Sequence, residues 1–254
     1  MTQHLRLEID GALATLVIDR PAKRNAISYE MWSALPKAMA EVAASPAKVL
    51  VIRGEQHFSA GADISEFATL RAGADGSRRY SDAVHAGERS IVGLSLPTIA
   101  AINGFCIGGG CEIALACDIR IAADDAKFGI TPAKLGIVYH FTSTKQLVAA
   151  VGPAWAKQIL FTGDILDAET ALRIGLVNEL HTAAAVNTRA VELAERIAGR
   201  SQVSVRGAKT IVNRIAEGQH EEDTEVRALY DASHASAEYA EGVRAFLQKR
   251  PPRF

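Results

Sequence analysis

The chain is sparing with cysteine, proline and aromatic residues, and its charges nearly cancel. Its three cysteines, Cys106, Cys111 and Cys117, are an odd number with no C-x-x-C pair. That count argues against a disulfide scaffold or a structural zinc site and for a reducing compartment. With 28 Lys+Arg against 29 Asp+Glu, the net charge of −1 argues against nucleic-acid binding through bulk charge and against an acidic disordered tail. No uncharged apolar run reaches membrane-spanning length, because Glu112 and Asp118 interrupt the longest one. The start, MTQHLRLEIDG, lacks the basic-then-apolar pattern of a signal peptide. A cytoplasmic protein with no membrane or nucleic-acid partner is expected. The remaining scarce signals are catalytic ones. The seven histidines show no ligand spacing, so no metal is expected, and there is neither a G-x-S-x-G elbow nor a G-x-x-x-x-G-K-[ST] phosphate loop.

What the chain does have is glycine, 20 residues of it, three of them consecutive at Gly108, Gly109 and Gly110 inside an apolar segment. Around them the order of elements is readable. LRLEI and ALATLVI about Asp10-Gly11 read as a hairpin. Ser28 reads as the N-cap of a helix running to about Ala44, and Val49 to Gly54 as a strand buried on both faces. Ser65 to Ser90 reads as a mobile loop or frayed helix leading into a helix over Val84 to Leu94. TIAAI, IRIAA and LVNEL read as further strands. From Ala183 onward only helical patterns occur, the last a long one from Glu221 to Gln248. Strands alternating with helices and then a run of helices imply an α/β core with a helical C-terminal region. The closing KRPPRF reads as a solvated basic tail.

The glycine segment, INGFCIGGGCEIALACDIRIA, reads as turn, helix and strand. Unpaired N–H groups at a helix start carry partial positive charge and suit a negative oxygen. Glu112 lies three residues after Gly109, on the same face of the first turn. An oxyanion donor thus sits beside a carboxylate able to move a proton. Glutamate in a first turn is also favourable through the helix dipole alone, and glycines also serve close packing. A carboxylate on the otherwise apolar CEIALAC helix, however, is costly unless it is paired or used.

These residues, together with HFSAGADISEF, RPAKRNAIS, FGITPAKLG and FTGDILDAETALRIGLVNEL, resemble the crotonase superfamily, the enoyl-CoA hydratase/isomerase group, over nearly the whole chain. The resemblance implies a crotonase-like spiral of ββα units over 1–195 and a C-terminal helical trimerisation region over 196–254. It also implies a homotrimer or a dimer of trimers. It implies an acyl-CoA thioester as substrate, with coenzyme A carried on it and no tightly bound cofactor. The oxyanion hole would be the backbone N–H groups of Ala62 and Gly109, with Glu112 as general acid/base. Lys23, Arg24, Ala60 and Ile64 would contact coenzyme A. Asp63 also reads as an ordinary helix cap, and Lys23 and Arg24 as a solvated pair.

One departure stands out. Hydratases of the family use a second glutamate between Phe-Gly and Leu-Gly, where this chain has Pro132, and the usual P-G-A-G-G turn beyond is replaced by IVYHFTSTK. Simple two-glutamate hydration is therefore in doubt, while enolate chemistry with one acid/base survives. Tyr139 and His140 follow in the altered stretch. Tyr139 is a candidate to orient a carboxylate or donate a proton, and His140 to titrate near neutral pH; a packed Tyr and a surface His fit equally. LGIVY resembles a stretch in the family's methylmalonyl-CoA decarboxylases, so a malonyl-type decarboxylase is one alternative. A non-catalytic acyl-CoA-binding or assembly subunit is another. Ser65 to Ser90 and IVYHFTSTK are expected to shape the acyl pocket.

Overall fold

The computed structural model describes residues 2–254. Strands β1 (Leu5–Asp10) and β2 (Leu13–Ile18) form the expected hairpin, antiparallel, with Asp10 opposite Leu13 so that Gly11 and Ala12 make the turn. Ser28 caps α1 (Tyr29–Ala43), its Oγ accepting from Met31 N at 3.2 Å. Strands β3 (Val49–Gly54), β4 (Thr98–Ile102), β6 (Ile119–Ala123) and β9 (Glu179–His181) extend a six-stranded sheet in the order β1-β2-β3-β4-β6-β9. Every pair beyond the hairpin is parallel. Burial on both faces explains why β3 and β4 are continuous apolar runs. A second sheet is formed by β5 (Phe105–Ile107), β7 (Lys127–Gly129) and β8 (Ile165–Asp167) in the order β5-β7-β8. Its strands have three residues each, too short for any alternation to register in the sequence.

Helices cover these sheets. The short α2 (Phe67–Leu70) leads into α3 (Gly73–Val92), which packs along α1. The stretch expected to be a mobile loop or frayed helix is largely regular helix, since Gly73 to Ser90 lies within α3. The loop reading followed its Gly and Ser content, but Tyr80, Val84 and Ile91 bury one face and stabilise the helix through tertiary contact. Helix α4 (Gly109–Ala116) lies against α3 on one side and α5 (Phe141–Thr162) on the other. Helix α6 (Ala168–Arg173) precedes β9, and α7 (Val186–Ala198) packs across β2, β3, β4 and β6.

Helix α8 (Gln202–Ala216) follows. The long helix expected over Glu221 to Gln248 is two, α9 (Thr224–His234) and α10 (Ala237–Leu247). Ser236 breaks it by capping α10, its Oγ accepting from Tyr239 N at 3.0 Å. The three cysteines are free and buried. Among the described residues no helix is long and apolar enough to cross a membrane.

Candidate active site

Three backbone segments meet where α4 begins. Ser59 holds the SAGAD loop in place: its Oγ donates to Asn25 O at 2.7 Å and accepts from Gly61 N at 3.0 Å. Ile27 then bonds on both sides of Ala62, with Ile27 N donating to Gly61 O at 2.7 Å and Asp63 N donating to Ile27 O at 2.9 Å. The Ala62 N–H is left without a partner, as is that of Gly109, the first residue of α4. Asp63 caps the turn over Ile64–Glu66 and takes a hydrogen bond from Arg20 at 2.7 Å, so it performs its ordinary local role while its neighbour presents a free amide.

The three glycines have separate causes. Gly108 caps α4 at φ +48°, ψ −111°, a conformation closed to residues with a Cβ. A Cβ on Gly110 would lie 2.8 Å from Ser59 O. A Cβ on Gly109 would lie 3.0 Å from Trp32 Cζ2, 3.4 Å from Ala62 N and 3.5 Å from Glu112 Oε2. A side chain at 109 would thus intrude among the two free amides and the carboxylate.

Ala62, Gly109 and Glu112 all line one cavity of about 110 Å³, walled also by Trp32, Phe67 and Arg71 on one side and by Pro132, Tyr139 and His140 on the other. Glu112 is buried, only 8 % exposed. Burial, followed by the negative charge of Glu88, holds its carboxyl well above the usual carboxylate range.

Glu88 is the functional candidate that sequence reasoning missed. It comes from α3, is 1 % exposed, and accepts a 2.6 Å hydrogen bond from Ser143 Oγ of α5. The same Oγ lies 3.5 Å from Glu112 Oε1. Burial raises the Glu88 carboxyl as well, and its Oε2 has no partner. The signal existed in the sequence: Tyr80, Val84, Glu88 and Ile91 fall on one helical stripe, and a carboxylate on an otherwise apolar face marks paired or used charge. The partner Ser143, distant in sequence, gave no such sign.

Of the remaining expected residues, Tyr139, His140, Ala60 and Ile64 line the same cavity and Lys23 and Arg24 do not. Pro132 occupies the slot beside the cavity as the first residue of a short 3₁₀ turn, Pro132–Leu135, and offers no transferable proton. The Tyr139 hydroxyl is buried without a partner, and burial pushes its pKa well up, so it stays protonated. His140 does not titrate near neutral pH as expected. Burial, then His85 at a ring distance of 4.5 Å and Arg71, push its pKa down to about 4, which leaves the ring neutral. Ala60 and Ile64 line the cavity, Ile64 being 57 % exposed. Lys23 is an exposed residue whose Nζ lies 3.9 Å from Asp63, and Arg24 lies 5.7 Å over the Phe105 ring. Neither is among the residues lining the cavity.

The chain is 36% identical over 262 residues to the crotonyl-CoA hydratase of Syntrophomonas wolfei, covering 99% of this chain and 98% of that one. It is 35% identical over 250 residues to the short-chain-enoyl-CoA hydratase of Clostridium acetobutylicum, covering 96% and 94%. A solved structure of an enoyl-CoA hydratase/isomerase family protein from Hyphomonas neptunium superposes with a TM-score of 0.97 at 42% identity, covering 100% of this chain and 98% of that one. The profile of the enoyl-CoA hydratase/isomerase family matches residues 8–254, and the chain belongs to that family.

Proposed function

We propose that the protein stabilises the enolate of an acyl-CoA thioester, with the thioester oxygen accepting hydrogen bonds from the Ala62 and Gly109 amides while Glu112 moves a proton at carbon. The observation that carries this is the meeting of two unpartnered backbone N–H groups and one buried carboxylate on a single cavity. Main-chain donors cannot titrate, and in a water-poor site each such donor contributes about 3–4 kcal/mol to the transition state. Since two similar proteins are named hydratases of short enoyl thioesters, the favoured substrate is a short 2-enoyl-CoA, either hydrated or shifted at its double bond.

Pro132 removes the second glutamate from its usual slot, but a second carboxyl lies buried behind Glu112. Glu88, through Ser143, shares protons with Glu112, so that Glu112 acts as base and then as acid while Glu88 receives or returns the spare proton. A raised carboxyl pKa suits this work, because a general acid/base is most effective near the operating pH. Lys23 and Arg24 are proposed to meet the phosphates of coenzyme A. Working in the cytoplasm, the chain would assemble as a homotrimer or a dimer of trimers. No observation favours the decarboxylase or the non-catalytic alternative.

The test is α-proton exchange of butyryl-CoA in deuterated water together with turnover of crotonyl-CoA. Glu112→Gln is expected to lower both by about 10²–10⁴-fold while thioester binding persists. Unchanged exchange in that variant would remove Glu112 from the mechanism.

A further inference from the structure

Arg71 is a cation without a counter-ion on the wall of the acyl cavity. It forms no ion pair among the described residues, and its buried Nε has no partner. Its guanidinium lies 3.9 Å from the Phe67 ring centroid and 4.1 Å from that of Tyr80, a clamp that fixes its direction without neutralising it. The carboxylates of the same segment are already engaged. Asp63 accepts from Arg20 at 2.7 Å, Glu66 from Tyr29 N at 2.8 Å, and Asp75 from Arg78 at 2.6 Å. Glu112 interacts with Arg71 only at longer range, and no ion pair joins the two.

The Tyr139 hydroxyl, which also lines the cavity, is buried without a partner. An unpaired half-buried charge is costly to keep, and one that faces a ligand cavity is matched when an opposite charge arrives with the ligand. A purely hydrocarbon acyl chain would leave Arg71 and the Tyr139 hydroxyl unmatched.

We infer that the acyl group carries a carboxylate, so that the substrate is the monothioester of a dicarboxylic acid whose free carboxylate pairs with Arg71. The inference rests on the reading that the acyl end of a CoA thioester enters this cavity, and it names the class of that acyl group. A guanidinium offers a carboxylate two parallel N–H donors, and neither a lysine nor a neutral side chain reproduces that geometry.

Binding isotherms of saturated thioesters differing only in methyl against carboxylate test the inference without turnover. The pairs are propionyl- and malonyl-CoA, butyryl- and succinyl-CoA, and valeryl- and glutaryl-CoA. In the wild type at least one carboxylated member is expected to bind about 10–100-fold tighter than its methyl partner, the range for a hydrogen bond to a charged group. Arg71→Met is expected to erase that preference while binding the methyl members as the wild type does. Arg71→Lys should restore part of it.

Equal binding across all three pairs in the wild type would overturn the inference. So would a variant that weakens both members of a pair alike, since Arg71 would then act through Glu112 or the fold. Failure of the enolate reading appears separately, as absence of α-proton exchange in the wild type, and leaves the binding comparison intact.

Discussion

Single side chains decide the chemistry, and the coupled carboxyls show it most directly. Glu88 and Glu112 both titrate higher in the folded chain than in the unfolded one, so the folded chain keeps protons that the unfolded one has released. By linkage their contribution to stability is complete below the unfolded carboxylate pKa of about 4.3 and is lost as pH rises through the raised folded values. Glu88→Gln removes one of the two buried charges. The fall in Tm with rising pH is expected to become shallower in this variant, which differential scanning calorimetry across a pH series would reveal. With its negative neighbour gone, Glu112 should also ionise at lower pH, shifting the acidic limb of kcat/KM downward. An unaltered limb would show that the two carboxyls do not share protons. His140 contributes nothing to this profile near neutrality, because its ring is already neutral there.

At the level of elements, the site depends on where α4 begins. Its first turn exposes the Gly109 amide because Gly108 adopts a left-handed cap and Gly110 allows the helix to approach Ser59 closely. Gly109→Ala is expected to fold, since its new Cβ meets Trp32 at 3.0 Å, tight but against a side chain. It should still lower turnover of crotonyl-CoA, because the amide of residue 109 is kept but the new methyl enters the space between the Ala62 amide and Glu112. Circular dichroism would establish the fold and the crotonyl-CoA assay the loss. Gly110→Ala behaves differently, because its Cβ would meet backbone at Ser59 O. Overpacking of about 1–3 kcal/mol should appear there as a lowered Tm. The placement of α4 between α3 and α5 is what brings Glu88, Glu112 and Ser143 together from three helices.

Across the whole molecule, the C-terminal helices are joined to the core by few polar ties. Lys209 of α8 reaches Asp118 at 2.8 Å and Leu96 O at 3.0 Å. Beyond those ties the helices leave large apolar side chains uncovered, with Phe246 82 % and Leu247 75 % exposed on α10 and Ile215 63 % exposed on α8. The homotrimer proposed above would cover such surface. Light scattering coupled to size exclusion is expected to give three or six times the 27.1 kDa chain mass. Phe246→Glu should lower the assembled fraction, and a monomer in the wild type would contradict the proposal.

The residue order alone determined much of this protein. Period-two apolar runs, Ser28 as a cap and the continuous β3 and β4 segments dictated the parallel core, because burial and capping act over a few neighbouring residues. Gly109 followed by Glu112 marked a free helix-start amide beside a buried carboxylate, since both lie within one helical turn. Three-residue strands carried no period, so the second sheet stayed invisible until pairing across the chain made it. The start of α3 was misread for the related reason that its apolar face is stabilised only by tertiary packing, chiefly on α1. Only the tertiary structure decided the partner of Glu112, the neutrality of His140 and the exposure of Arg71 to the acyl cavity. Each is set by burial and by charges far away in sequence, and desolvation has no local signature in the order of residues.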